Sequence, residues 1–61
     1  MIDLRKAREA QGMTQQDLAD KVGLVRQTIS HIETGKIVPS VPTAQAIAQV
    51  LGIDWTGFFV A

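Results

Sequence analysis

Residues 13–35, MTQQDLADKVGLVRQTISHIETG, decide how this chain folds. Thr14 is followed three residues later by Asp17, the spacing of a capping box built with a shorter acid. Leu18, Ala19 and Val22 then recur at helical spacing until Gly23, which predicts a helix over 14–22 of about two turns. A second helix is predicted over 25–34: Val25, Ile29 and Ile32 share one face, and Gly35 closes it. The remaining positions of that second helix are polar. The stretch therefore reads as two short helices meeting at a glycine turn, the second carrying an apolar inner face and a polar outer one.

The flanking sequence continues the same pattern. Helix formers fill 2–11, with Leu4 and Ala7 facing inward and Gly12 as the stop. Pro39 disfavours helix at its predecessor, and Ile37 and Val38 are β-branched, so Lys36 to Pro39 is expected to be an extended connection. Ser40 can cap a helix over 41–51, where Pro42 is tolerated in the first turn and Ala44, Ile47, Ala48 and Leu51 form the buried stripe before Gly52. Asp54 can cap a last short helix over 54–59 that carries Trp55, Phe58 and Phe59. Gly57 inside it signals either a close approach or fraying. No internal repeat or low-complexity tract interrupts the series, and residues 1–61 are expected to form one all-α domain of five helices.

Composition narrows the function. The 61 residues are 46% hydrophobic and 20% charged, too apolar for a disordered chain. No cysteine is present, so disulfides and thiolate sites are excluded, and a domain this small must rely on close helix packing or on a second subunit. Charges at Asp3, Arg5 and Lys6 occupy the place of a signal peptide's apolar stretch, and no run reaches transmembrane length, so a cytoplasmic location with no membrane association is expected. One histidine, no tyrosine, no glycine-rich phosphate loop and no paired-ligand spacing argue against an enzyme, a metal site or a cofactor, and no small-molecule ligand is evident. His31 and Glu33 lie two apart on a helix and face different ways, so they make no metal pair.

Six Lys and Arg balance six Asp and Glu, so bulk charge gives no indication of nucleic acid. The arrangement of side chains on the 25–34 helix does. Arg26 and Ser30, like Gln27 and His31, are four apart and stack along one strip near the helix N-terminus. Arginine can pair bidentately with guanine, glutamine with adenine, and serine or histidine can make single bonds to base edges. Two short helices joined at Gly23, with this strip on the second, form a helix-turn-helix candidate for major-groove reading. Seen alone, such a strip is ordinarily just a solvated helix face.

The chain resembles the Cro and phage-repressor family of helix-turn-helix proteins, also called XRE-type. Residues 13–23 resemble its second helix and turn, and 26–36 its recognition helix and glycine-lysine exit. Pro39-Ser40, then 48–52, then 54–59 are similar to its fourth and fifth helices. The resemblance covers about residues 2–59 and implies a compact lambda-repressor-like fold and a transcriptional regulator, a repressor by the same analogy. It also implies that Gln15, with the amides opening the second helix, holds a DNA phosphate, which suits the positive end of a helix dipole. Lys36 is expected to reach the backbone across the groove, where a contact fixes register without reading sequence. Thr14 is expected as a cap first and a phosphate contact second. Thr28 can either reach a phosphate or pack against the turn. The family pattern pairs Glu33 with Arg8 in an internal salt bridge, leaving Arg5 and Lys6 as further candidates for backbone contacts.

One feature departs from that family pattern. The recognition helix usually begins with Ser or Thr, and here Val25 stands there, unable to accept a hydrogen bond from the exposed amides; it can pack inward or touch a thymine methyl. With Arg8 turned inward, only five Lys and Arg remain on a chain of zero net charge, which favours a homodimer whose two recognition helices would sit about 34 Å apart on a palindromic site in double-stranded DNA. Trp55, Phe58 and Val60, in the most apolar segment, are the expected subunit contacts, although Phe58 and Phe59 can alternatively close the core. The competing reading is a module that uses the same scaffold to bind another protein, such as a toxin or an antirepressor.

Overall fold

Two reciprocal hydrogen bonds start the second helix. The Thr14 hydroxyl accepts from the Asp17 amide at 3.0 Å, and the Asp17 carboxylate accepts from the Thr14 amide at 3.0 Å. These bonds hold the exposed Asp17 carboxyl below the usual carboxylate range, the backbone bond from Thr14 contributing most. The computed structural model describes residues 2–59, and in it this helix, α2, runs Gln15–Val22. It ends at Gly23, whose left-handed φ of 71° lets the Leu24 amide reach back to the Ala19 carbonyl at 2.9 Å. Helix α3 follows at once, Arg26–Glu33.

Around this pair stand α1, Leu4–Ala10, and α4, Val41–Leu51. Asp3 caps α1 by accepting from the Lys6 amide at 3.1 Å, so that helix begins two residues later than its composition suggests. Ser40 caps α4, accepting from the Thr43 amide, with Pro42 in the first turn where its missing donor costs nothing. Four α-helices are present among the described residues. The expected fifth helix is a single 3-10 turn, Trp55–Phe58, capped by Asp54, which accepts from the Thr56 amide and hydroxyl. No strand occurs among the described residues, and no helix there is long and apolar enough to cross a membrane.

Leu4, Leu18, Ala19, Ile29, Ile32, Ala44, Ile47, Leu51 and Phe58 form the core, drawn from every element. Helix α2 lies against both α3 and α4, α1 against α3, and the 3-10 turn against α4. Chain ends meet as well: the Ile2 amide donates to the Gly57 carbonyl at 2.8 Å. A Cβ on Gly57 would stand 3.5 Å from the Ile2 side chain, an ordinary van der Waals contact, so crowding does not require glycine there.

Two aromatic assignments change. In a 3-10 turn residues three apart eclipse, so Trp55 and Phe58 point to the same side. Phe58 is buried at 2% exposure in the chain's own core, which removes it from the surface open to a second subunit. Trp55 is half-buried against that core, while Phe59 is exposed and meets the Trp55 ring edge-on at a centroid distance of 6.1 Å. Val60, the remaining expected subunit contact, lies outside the described residues.

Val25 also departs from expectation. It is not on the inner face with Ile29 and Ile32; it occupies the N-cap of α3 with an extended backbone, is 65% exposed and makes no side-chain cap. Serine there would supply the missing acceptor at a position that lies mostly in solvent. Val25→Ser is therefore expected to stabilise the fold by about 1 kcal/mol, read as a higher urea midpoint with an unchanged slope. An unchanged or lower midpoint would mean that the valine makes contacts this geometry does not show.

Candidate nucleic-acid interface

The interface is built from a buried ion pair outward. Arg8, on the inner side of α1, is buried at 7% exposure. Its Nε donates to Glu33 Oε2 at 2.7 Å, one terminal nitrogen donates to Glu33 Oε1 at 3.3 Å, and the other donates to the Met13 carbonyl at 2.7 Å. The fork thus grips the end of α3 and the α1–α2 connection together, a task for which a planar guanidinium is suited. Hydrogen bonding to Glu33 raises the Arg8 pKa against the opposing effect of burial, so the guanidinium stays charged. Among the described residues, no buried side-chain polar atom is left without a partner.

Glu33 has a further donor. Gln15 Nε2 reaches Glu33 Oε1 at 3.1 Å, and Gln15 Oε1 in turn accepts from an Arg26 terminal nitrogen at 3.2 Å. A continuous path therefore leads from α1 through the end of α3 and the first residue of α2 back to the first residue of α3. Nothing in periodicity links Gln15 with Arg26, which lie on opposite sides of the Gly23 turn. The one legible signal is that glutamine offers both a donor and an acceptor beside a charged pair.

Two isoleucines fix α3: Ile29 is 0% and Ile32 2% exposed. On its other side Arg26 and Gln27 are exposed, and Ser30 and His31 are half-buried one turn later. The strip is therefore most open at its N-terminal end, where a helix entering a groove meets base edges first. Thr28 is half-buried. Thr14 is exposed, with its hydroxyl oxygen engaged in the cap, and Gln15 is half-buried at the first position of α2.

Lys36 leaves α3 on a fixed path: its amide donates to the His31 carbonyl at 2.9 Å, and its side chain is in solvent. The Thr34 hydroxyl donates to the Ser30 carbonyl at 3.0 Å, closing the last turn. Arg5 is drawn toward Glu9 at 3.6 Å, an exposed i,i+4 pair of little energetic consequence that leaves the guanidinium accessible. Lys6 is exposed on the same helix. Among the described residues, no group of three His, Asp or Glu side chains could hold a metal ion.

The comparisons with known proteins agree with the helix-turn-helix fold. A helix-turn-helix family model matches residues 4–58. An uncharacterised HTH-type transcriptional regulator of Methanothermobacter thermautotrophicus is 45% identical over 49 residues, covering 80% of this chain and 71% of that protein. A second, from Archaeoglobus fulgidus, is 42% identical over 57 residues, covering 93% of this chain and 81% of that one. The HTH-type transcriptional regulator PuuR of Escherichia coli is 36% identical over 56 residues, which span 92% of this chain and 30% of PuuR. With its helices, its turn at Gly23 and its sequence matched from Leu4 to Phe58, the chain belongs to the XRE-type helix-turn-helix family.

Proposed function

We propose that this protein is a sequence-specific regulator of transcription that binds double-stranded DNA through the major groove, represses by occluding promoter DNA, and engages a palindromic operator as a homodimer. The observation that carries the reading is the division of α3: two isoleucines bury one side while Arg26 and Gln27 stand in solvent on the other. Arg26, Gln27, Ser30 and His31 are assigned to base edges, with Arg26 and Gln27 the best placed. Thr14, Gln15, Thr28 and Lys36 are assigned to phosphates. Gln15 can serve there despite its internal bonds, because a primary amide carries two N–H groups and Glu33 takes one. Trp55, half-buried at the chain's end, and Val60 are assigned to the subunit contact. The homology to proteins named transcriptional regulators supports the same reading.

A second reading has its own observation. Val38 and Val41 are 62% and 45% exposed and Ile37 is 39% exposed, an apolar set at the α3–α4 connection that suits a protein partner. Ionic strength separates the two. Selection from random duplexes should return a symmetric consensus, and affinity for it should fall steeply with salt, each phosphate contact contributing about 0.9 to the log–log slope. Lys36→Ala should weaken binding to all sequences alike and reduce that slope by about 1. No enrichment, or binding that ignores salt, would overturn the DNA reading in favour of the protein-binding one.

A further inference from the structure

We infer that Glu33, acting through the Gln15 amide, is a positioning residue that aims Arg26, so that the base-reading arginine is held in place before DNA arrives. The inference rests on the DNA-binding reading above and adds residues whose influence on sequence choice that reading does not assign. Its basis is the polarity of the path. A carboxylate can only accept, so Glu33 Oε1, at 3.1 Å, fixes Gln15 with its nitrogen inward and its oxygen outward. The outward oxygen is then an acceptor, the one kind of group a guanidinium can use, and it receives Arg26 at 3.2 Å. If the amide were turned over, its NH2 would face the Arg26 donors and the tie would be lost. Glu33 is itself held by two bonds from the buried Arg8, and its side chain is 5% exposed. The amide therefore bonds at one end to a group with little freedom and at the other to a side chain in solvent.

A long, exposed arginine samples many rotamers, and ordering it on binding opposes association. A pre-formed bond through one terminal nitrogen removes part of that cost and leaves the guanidinium's other donors for the guanine edge. The effect is confined to the base pair Arg26 reads. A phosphate contact by Gln15, by contrast, acts on every sequence equally.

The test uses the full chain and the preferred duplex from random selection, with every base pair of a half-site varied in turn. Arg26→Ala should lose discrimination at one position, by about 5- to 150-fold for a bidentate contact. Gln15→Met keeps length and shape but neither donates nor accepts, and it should lose part of the discrimination at that same position and none elsewhere. Glu33→Gln, which lets the amide at 15 turn over and also lowers stability by removing the counter-charge of Arg8, should reproduce the Gln15→Met discrimination pattern in the folded fraction. In the protein without DNA, 15N relaxation at Arg26 Nε should show a more ordered side chain in wild type than in Gln15→Met, a readout independent of operator affinity. Uniform weakening by Gln15→Met with no loss of discrimination at the Arg26 position, or equal Arg26 mobility in both proteins, would overturn the inference while leaving DNA binding intact. Absence of any sequence preference in the wild type would overturn the underlying reading and the inference with it.

Discussion

Arg8→Met should lower stability by about 3–5 kcal/mol, because it leaves the Glu33 carboxylate buried without its main counter-charge. The same substitution strips the Met13 carbonyl of its 2.7 Å donor, so the carboxylate and a part-buried carbonyl lose a partner at once. A domain of 61 residues has roughly 3–9 kcal/mol of total stability at 0.05–0.15 kcal/mol per residue, so the variant should lose at least about a third of it. Urea unfolding, or the loss of helical circular dichroism, reads this directly. The companion double variant Arg8→Met with Glu33→Leu should recover much of the loss, since replacing a buried pair by apolar groups is often neutral or stabilising. It would not recover the Gln15 contact, which needs the carboxylate. An Arg8→Met variant within about 0.5 kcal/mol of wild type would show that water reaches Glu33 and that the pair is not the anchor its geometry describes.

Much of this fold was legible because it is written in local signals. The reciprocal Thr14–Asp17 bonds, the Ser40 cap and the stop at Gly23 all depend on residues a few positions apart, where spacing alone determines who can touch whom. The buried stripe of α4 was legible for the same reason: Ala44, Ile47, Ala48 and Leu51 recur at the helical period. What failed was the assignment of apolar residues whose neighbours come from elsewhere in the chain. Phe58 and Phe59 are adjacent and chemically identical, and only the tighter winding of a 3-10 turn sends the first inward and leaves the second in solvent. Val25 fits the apolar face of α3 by period, yet it precedes the first helical residue, so its extended backbone turns the side chain out.

In the candidate interface, residue types on one helix could be read in advance, but not the bonds between helices. Arg26 and Gln27 were expected outside and are exposed, whereas Ser30 and His31 are partly covered, which the four-residue spacing does not convey. The ion pair of Arg8 with Glu33 came from family resemblance, since 25 residues of chain separate them. The Gln15 bonds to Glu33 and Arg26 had no antecedent in the sequence, because they arise only where α2, α3 and the Arg8 fork converge. Local chemistry specifies the elements, and their packing then creates a polar path across them.

The second large effect is expected at Ile29. Helix α3 has eight residues and no side-chain cap, and a helix of two turns is not stable in water by its own hydrogen bonds. Its order therefore depends on burying Ile29 and Ile32 against the core contributed by α1, α2 and α4. Ile29→Ala should cost about 2–5 kcal/mol through lost transfer energy and the cavity left behind, against about 0.5–1.5 kcal/mol for Ile29→Val. The damage should also be local: in native-state hydrogen exchange, amides of Ser30 to Glu33 should lose more protection than those of α4, because α3 can lift away before the whole fold opens. Adding Val25→Ser to Ile29→Ala should return part of that protection, since the new cap stabilises the same helix from its other end. DNA affinity should fall with the population of docked α3 and recover in step with the cap. Unchanged exchange across α3 in Ile29→Ala would mean that Ile32 and the Arg8–Glu33 clamp suffice to dock the helix, and that its outward strip is held by charge rather than by the core.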